Sequence, residues 1–336
     1  MTIVDFQHHY TPKELFEARG EAKSLSVRYD ENGNPAYLTN PQLCDLDEHI
    51  RMMDLAGIDI AVLSCGEGFD NPDRAGCAFI NDRMKRAATD YPGRFIGLAH
   101  APVLNAPEMR AELKRCAVEF GFPGVVIGSE LQGRALDEPA LDPFWKTVCD
   151  LGMYVFVHPL PRVISWDKMY ADDLGRTLGW EFSLAVATLR LMNAGVLDRF
   201  PDLRVQFSHF SGGLGRYMAR ARGFGQRGKW GTAGNAQHGR EPAKSYAHYM
   251  NERLFYDCAG WAGPDDCAHE GAEWIEFGLK EVALSQVVFA TDYPQAIRSA
   301  EECKAYTDAV RAMGRTGETM LTGNTHKLIA NLPGRS

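Results

Sequence analysis

Among the 336 residues, the groups that invite chemistry stand directly after short apolar runs. Gln7, His8 and His9 follow Ile3-Val4-Asp5-Phe6, and His100 follows Phe95-Ile96-Gly97-Leu98-Ala99. His158 follows Tyr154-Val155-Phe156-Val157, His209 follows Val205-Gln206-Phe207-Ser208, and Asp292 follows Val287-Val288-Phe289-Ala290-Thr291. Imidazole nitrogens and a carboxylate converging from such runs form a borderline-soft N/O donor set suited to Zn2+, Mn2+ or Fe2+. A divalent ion held there would polarise a substrate oxygen. Residues two apart in a strand share a face, so Gln7 and His9 point together and His8 points away. Burying His9, His158, His209 and Asp292 at matching positions without a role would be costly. Gln7 leaves two roles open, as a weak neutral ligand or as a contact behind the ligands or on the substrate. His100 is read as a substrate contact, with a hydrogen-bonded framework position as the alternative.

These residues need a scaffold that brings strand ends together. Apolar, β-rich runs fall at about 2–6, 58–64, 94–100, 123–128, 153–158, 203–209, 253–258 and 286–291. Between them run helical patterns such as Asp45 to Ala56, Ala75 to Tyr91, Glu108 to Phe120, Pro143 to Leu151, Leu184 to Gly195 and Ala300 to Met313. Eight strands alternating with helices predict an α/β protein built as a (β/α)8 TIM barrel, whose strand C-termini form the mouth of the site. One domain over 1–336 is expected, because such barrels use ~250 residues or more as a unit. A hairpin insertion at about 18–44, around Asn32-Gly33-Asn34-Pro35, and a Gly/Arg-rich loop at about 211–248 interrupt the alternation. Both follow strand C-termini.

Composition narrows the partner. A net charge of −8 without a Lys/Arg block argues against nucleic-acid binding through the phosphate backbone. Neither a secretion signal nor ~20 consecutive apolar residues is found, so no membrane contact and a cytoplasmic location are expected. The eight cysteines form no C-x-x-C pair and read as reduced, mostly buried thiols.

The chain resembles the amidohydrolase-related family that contains aminocarboxymuconate semialdehyde decarboxylase and the hydroxybenzoate decarboxylases. The stretches that carry the likeness include Val4-Asp5-Phe6-Gln7-His8-His9, Met53-Asp54-Leu55-Ala56-Gly57-Ile58-Asp59, Val157-His158-Pro159, Ser208-His209-Phe210-Ser211-Gly212-Gly213 and Ala290-Thr291-Asp292-Tyr293-Pro294. They run in family order along almost the whole chain. The resemblance implies a metal-dependent hydrolase type of barrel with Gln7, His9, His158 and Asp292 as ligands of one Zn2+ or Mn2+ per subunit. It implies Asp292 and His209 as catalytic groups, Arg51 as a contact to a substrate carboxylate, and a homodimer with the Gly/Arg-rich loop at its interface. Gln7 departs from the family's usual His or Glu. The fourth strand ends Val125-Val126-Ile127-Gly128-Ser129-Glu130 and offers no Lys to bridge two ions, so a mononuclear centre is expected.

The activity this implies is non-oxidative decarboxylation of an aromatic or conjugated carboxylic acid, the partner being a small-molecule carboxylate. Asp292 would deliver a proton to the carbon bearing the carboxylate. Two alternatives keep the barrel: a hydrolase of a lactone, amide or cyclic ester, or a hydratase, with Asp292 as general base; and a non-catalytic scaffold, which Gln7 alone invites.

Overall fold

A computed structural model describes residues 2–18, 26–29, 35–160, 169, 174–226, 242–260 and 272–333. Its strands are β1 (Val4–His9), β2 (Ser26–Tyr29), β3 (Pro35–Thr39), β4 (Ile60–Ser64), β5 (Phe95–Gly97) and β6 (Gly124–Gly128). There follow β7 (Glu130–Leu131), β8 (Arg134–Ala135), β9 (Tyr154–His158), β10 (Val205–Phe207), β11 (Leu254–Asp257) and β12 (Val287–Val288).

Eight of these are parallel and lie in two arcs, β1-β4-β5 and β6-β9-β10-β11-β12. Two seams join the arcs. At one, Ala99 bridges Val125, and the Val126 N–H donates to Ala99 O at 3.0 Å. At the other, His8 bridges Tyr293, the Asp292 N–H donates to Gln7 O at 2.9 Å, and the His9 N–H donates to Tyr293 O at 2.8 Å. The eight strands therefore follow one another around a closed ring. All eight expected runs form strands, most of them trimmed at their ends.

Alternation along each strand builds two apolar layers. Val4, Phe6, Val62, Leu98, Val126 and Phe156 fill the barrel interior. Leu63, Val125, Val157, Val205, Phe207 and Phe289 face the surrounding helices. Each such side chain contributes on the order of 1.5–3 kcal/mol when fully buried.

The helices begin and end where local chemistry dictates. Asp45 accepts the Glu48 N–H at 3.0 Å and starts Leu46–Ala56, which Gly57 ends at φ 70°, a left-handed conformation that glycine adopts without a Cβ clash. Ser299 and Glu302 form a reciprocal capping box at the head of Ala300–Ala312. Arg311 of that helix donates to Ala56 O at 2.8 Å, tying it to the end of Leu46–Ala56.

The insertion is an antiparallel hairpin, β2 on β3, with Ser26 opposite Thr39. Its turn at 30–34 lies outside the described residues. The long loop starts as a left-handed turn and continues into helix Met218–Gln226; residues 227–241 are not described. Among the described residues, no helix is long and apolar enough to cross a membrane. The seven described cysteines are free thiols.

Candidate active site

Four strand ends converge at one mouth of the barrel. His9 Nε2 lies 2.8 Å from Asp292 Oδ1. The His9 and His158 rings meet edge to face, with centroids 4.9 Å apart. One donor atom each from His9, His158 and Asp292 lies within 4.8 Å of the other two. Gln7 donates through Nε2 to Asp292 Oδ1 at 2.9 Å and lies 3.3 Å from His209 Nε2. His209 Nε2 faces Asp292 Oδ2 at 3.7 Å.

Past a β-bulge between Asp5 and His8, which brings Gln7 and His9 to the side of Val4 and Phe6, β1 separates its histidines as expected. His8 turns outward, its Nδ1 2.9 Å from Asp5 Oδ2 and its Nε2 3.1 Å from His49 Nδ1. His49 reaches Gln42 O at 2.7 Å, completing a buried chain behind the site. Asp5 also accepts the Thr291 N–H at 2.9 Å and its hydroxyl at 2.6 Å, which fixes the residue preceding Asp292.

Backbone strain marks the two central groups. Asp292 has φ 55° and His209 φ 51°, and the left-handed turn continues through Phe210 and Ser211. A non-glycine residue there costs roughly 1–2 kcal/mol, and such conformations concentrate at functional sites.

Electrostatics follow from burial and pairing. Burial alone would raise the Asp292 carboxyl, but the imidazoles of His209 and His9 beside it hold it far below the carboxylate range. Burial would lower His209, yet Glu181 and Asp292 outweigh it and raise the imidazole well above its ordinary value. Burial, with the charge of His9, pushes His158 well down. Burial raises the Asp257 carboxyl to about 6.

The amidohydrolase family profile matches residues 4–309, nearly the full barrel with all the converging residues. The chain belongs to the amidohydrolase family. It is 26% identical over 297 residues to the 2-amino-3-carboxymuconate-6-semialdehyde decarboxylase of Dictyostelium discoideum, covering 87% of this chain and 78% of the relative. It is 28% identical over 265 residues to a gamma-resorcylate decarboxylase of Polaromonas sp., covering 74% and 76% respectively. Its fold is similar to that of a 5-carboxyvanillate decarboxylase of Novosphingobium aromaticivorans complexed with manganese and 4-hydroxy-3-methoxy-5-nitrobenzoic acid. The TM-score is 0.76 at 22% identity, covering 98% of this chain and 96% of that one.

In this amidohydrolase the donor set fits one divalent ion. His158 Nδ1 donates to Pro159 O at 2.9 Å, which leaves the Nε2 lone pair for a cation. Two ligand bonds of ~2.1 Å span ~4.2 Å, comparable with the spread of the three donors. Gln7 Oε1 is buried without a hydrogen-bond partner among the described residues, an acceptor that a cation or a donor on a substrate would satisfy.

Two expected substrate contacts are placed elsewhere. Arg51 is not brought to the cluster: its side chain is 64% exposed and paired with Glu48 one turn earlier on helix Leu46–Ala56. His49, two positions before it, takes the inward face instead. His100 is fully buried, with Nε2 3.2 Å from the Cys65 N–H and carbonyl. The Phe69 ring stacks on His100 at 6.4 Å and touches His158 at 4.6 Å, so it occupies the ground between them. The framework alternative describes His100 in this arrangement.

Three residues of the site escape the sequence reading. Glu181 Oε1 lies 2.7 Å from His209 Nδ1. Asp257 accepts the His209 N–H at 2.9 Å and the Gln206 amide at 2.9 Å. Asp257 ends β11, so the strand-end argument applied to that run would have found it. Phe69 and Glu181 stand in a loop and a helix, where no comparable signal exists.

Proposed function

We propose that this chain catalyses the non-oxidative decarboxylation of an aromatic or conjugated carboxylic acid, with one divalent ion held by His9, His158 and Asp292. The observation that carries the reading is the convergence of those three donors, with His209 beside them, at the mouth of a barrel whose relatives are named decarboxylases. Mn2+ is the first choice of ion and Zn2+ the second, the similar 5-carboxyvanillate decarboxylase structure being described with manganese. When bound, the ion supplies Lewis-acid polarisation of the substrate's oxygens.

The chain's own groups supply the rest. Asp292 passes the proton to the substrate carbon, and His209, whose Nε2 lies 3.7 Å from Asp292 Oδ2, is placed to resupply it. Protonation at the carbon bearing the carboxylate is followed by cleavage of the C–C bond. Its electron pair returns to the ring and CO2 departs; solvent reprotonates His209. The buried wall of Phe69 beside His9 and His158 offers a flat apolar face to an aromatic ring. Fixed dipoles and charges in a water-poor mouth favour a reaction whose charge shifts rather than accumulates.

A homodimer and a cytoplasmic setting belong to the same reading; free thiols at all seven described cysteines suit a reducing compartment. Sedimentation at micromolar protein tests the dimer. The activity is tested by supplying the Mn2+-loaded enzyme with 2,6-dihydroxybenzoate, 5-carboxyvanillate and 6-methylsalicylate, and measuring CO2. Metal-dependent CO2 release from one of them is expected. Incorporation of 18O from labelled water into an ester or amide product, with no CO2 from any acid, would show a hydrolase instead.

A further inference from the structure

His209 is aimed by something other than its own backbone. The ring-bearing torsion of a histidine is broad and roughly two-fold, so either nitrogen could be presented to Asp292 unless one is anchored. Nδ1 is anchored by Glu181 Oε1 at 2.7 Å, and Nε2 is thereby turned toward Gln7 and Asp292. We propose that Glu181 is the positioning residue of this site: its carboxylate accepts the Nδ1–H of His209, keeps that proton on Nδ1 and fixes the rotamer, so that Nε2 is the nitrogen that takes up and gives the mobile proton beside Asp292. The role assigned to Nε2 rests on the decarboxylase reading above.

The surroundings show that this contact is built into the fold. Glu181 lies in the first turn of helix Trp180–Asn193, and the same helix holds the turn that carries His209. The Thr188 hydroxyl meets the Ser211 hydroxyl. At Gly212, φ 61°, an added Cβ would stand 1.9 Å from the carbonyl oxygen of Glu181. Only glycine lets the turn approach this closely, so the main chain of Glu181 sets the position of the turn while its side chain sets the ring. The second carboxylate oxygen, Oε2, is buried and has no hydrogen-bond partner among the described residues. The sequence run His209-Phe210-Ser211-Gly212-Gly213 contains no carboxylate of its own, so the anchor has to come from another element.

The test separates aim from charge. Zinc-loaded protein carrying 15N-labelled histidine is compared as wild type, Glu181→Gln and Glu181→Ala, with the His209 signals assigned by their loss in His209→Asn. The amide oxygen of Gln still accepts the Nδ1–H, whereas Ala offers nothing. Wild type and Glu181→Gln are expected to share one Nδ1–H signature, and Glu181→Ala to show mixed tautomers. On the acid that the wild type decarboxylates, Glu181→Ala should lose about 10²-fold in kcat with KM changed by less than about threefold, while Glu181→Gln stays within about tenfold of wild type. Should Glu181→Ala fail to fold, Glu181→Met, of similar length and without an acceptor, carries the same expectation. An unchanged ring signature in the Ala or Met variant overturns the proposal, and so does a Gln variant as impaired as Ala. If the wild type decarboxylates none of the acids, the functional reading fails, and the ring signature still decides the role of Glu181.

Discussion

His9 and Asp292 are 283 positions apart in sequence, and the closure of the barrel places His9 Nε2 2.8 Å from Asp292 Oδ1. The contact rests on the seam beneath it, where main-chain bonds run from Asp292 to Gln7 and from His9 to Tyr293. Asp5 secures the same seam from behind through both donors of Thr291. Strand closure and assembly of the donor set are thus one event, and a chain that fails to close has no site.

Asp292→Asn tests the double duty assigned to that carboxylate. The amide keeps the shape but cannot carry a proton to carbon, and it presents no charge to a cation. CO2 release should fall by about 10²–10⁴-fold, the range for loss of a positioned proton-transfer group. Isothermal titration with Mn2+ should show weakened binding as well. Wild-type affinity combined with wild-type turnover would remove Asp292 from the mechanism.

Gln7→Glu asks what the departure at this position does. A carboxylate beside Asp292 in a buried site repels it, so the metal-free variant should melt below the metal-free wild type. With the ion present both charges are neutralised, and Mn2+ should bind at least about tenfold more tightly, equivalent to ~1.4 kcal/mol. The two Tm shifts, down without metal and up with it, are read in one thermal-melt series. Equal shifts in both series would mean that Gln7 does not face the cation.

Much of this was legible in the residues because the barrel repeats one rule. Each strand is apolar through its body and polar at its end, so His9, His158, His209 and Asp292 announced themselves by position. The opposite facing of His8 and His9 followed from the two-residue period, whereas the β-bulge between Asp5 and His8, which sets His9 rather than His8 on the side of Phe6, carried no signal. What stayed hidden depends on relations that no single run encodes. Glu181 faces His209 only because helix Trp180–Asn193 packs against the left-handed turn at Gly212. Phe69 separates His100 from the mouth only after its loop folds back over the strand ends. Helical periodicity placed Arg51 on the helix correctly, but which face turns inward was decided by the His8–His49 contact.

Arg51→Ala follows from that placement. An exposed i,i+3 pair with Glu48 contributes little, so stability should change by less than about 1 kcal/mol. CO2 release and KM should stay within about twofold of wild type, since an exposed pair on the outer helix face adds only tenths of a kcal/mol at most to anything it touches. A KM raised tenfold or more with kcat unchanged would return Arg51 to the substrate.

The buried histidine His100 gives the fold a defined acid limit. Burial lowers its imidazole to about 4, against an ordinary value of 6.5. As pH falls, the unfolded chain takes up this proton first, so the unfolded state gains and the folded state does not. Its contribution is complete above pH 6.5 and is lost progressively down to about pH 4, amounting to on the order of 3 kcal/mol. His49 and His158 are depressed in the same way, so the wild-type curve sums several such losses. The difference between wild type and His100→Gln isolates one of them: urea unfolding between pH 7 and pH 4 should show the variant losing less stability across the acid range. Parallel curves would mean that His100 takes up its proton at the same pH in the folded barrel as in the unfolded chain, and that the packing of Phe69 against it does not exclude the charge.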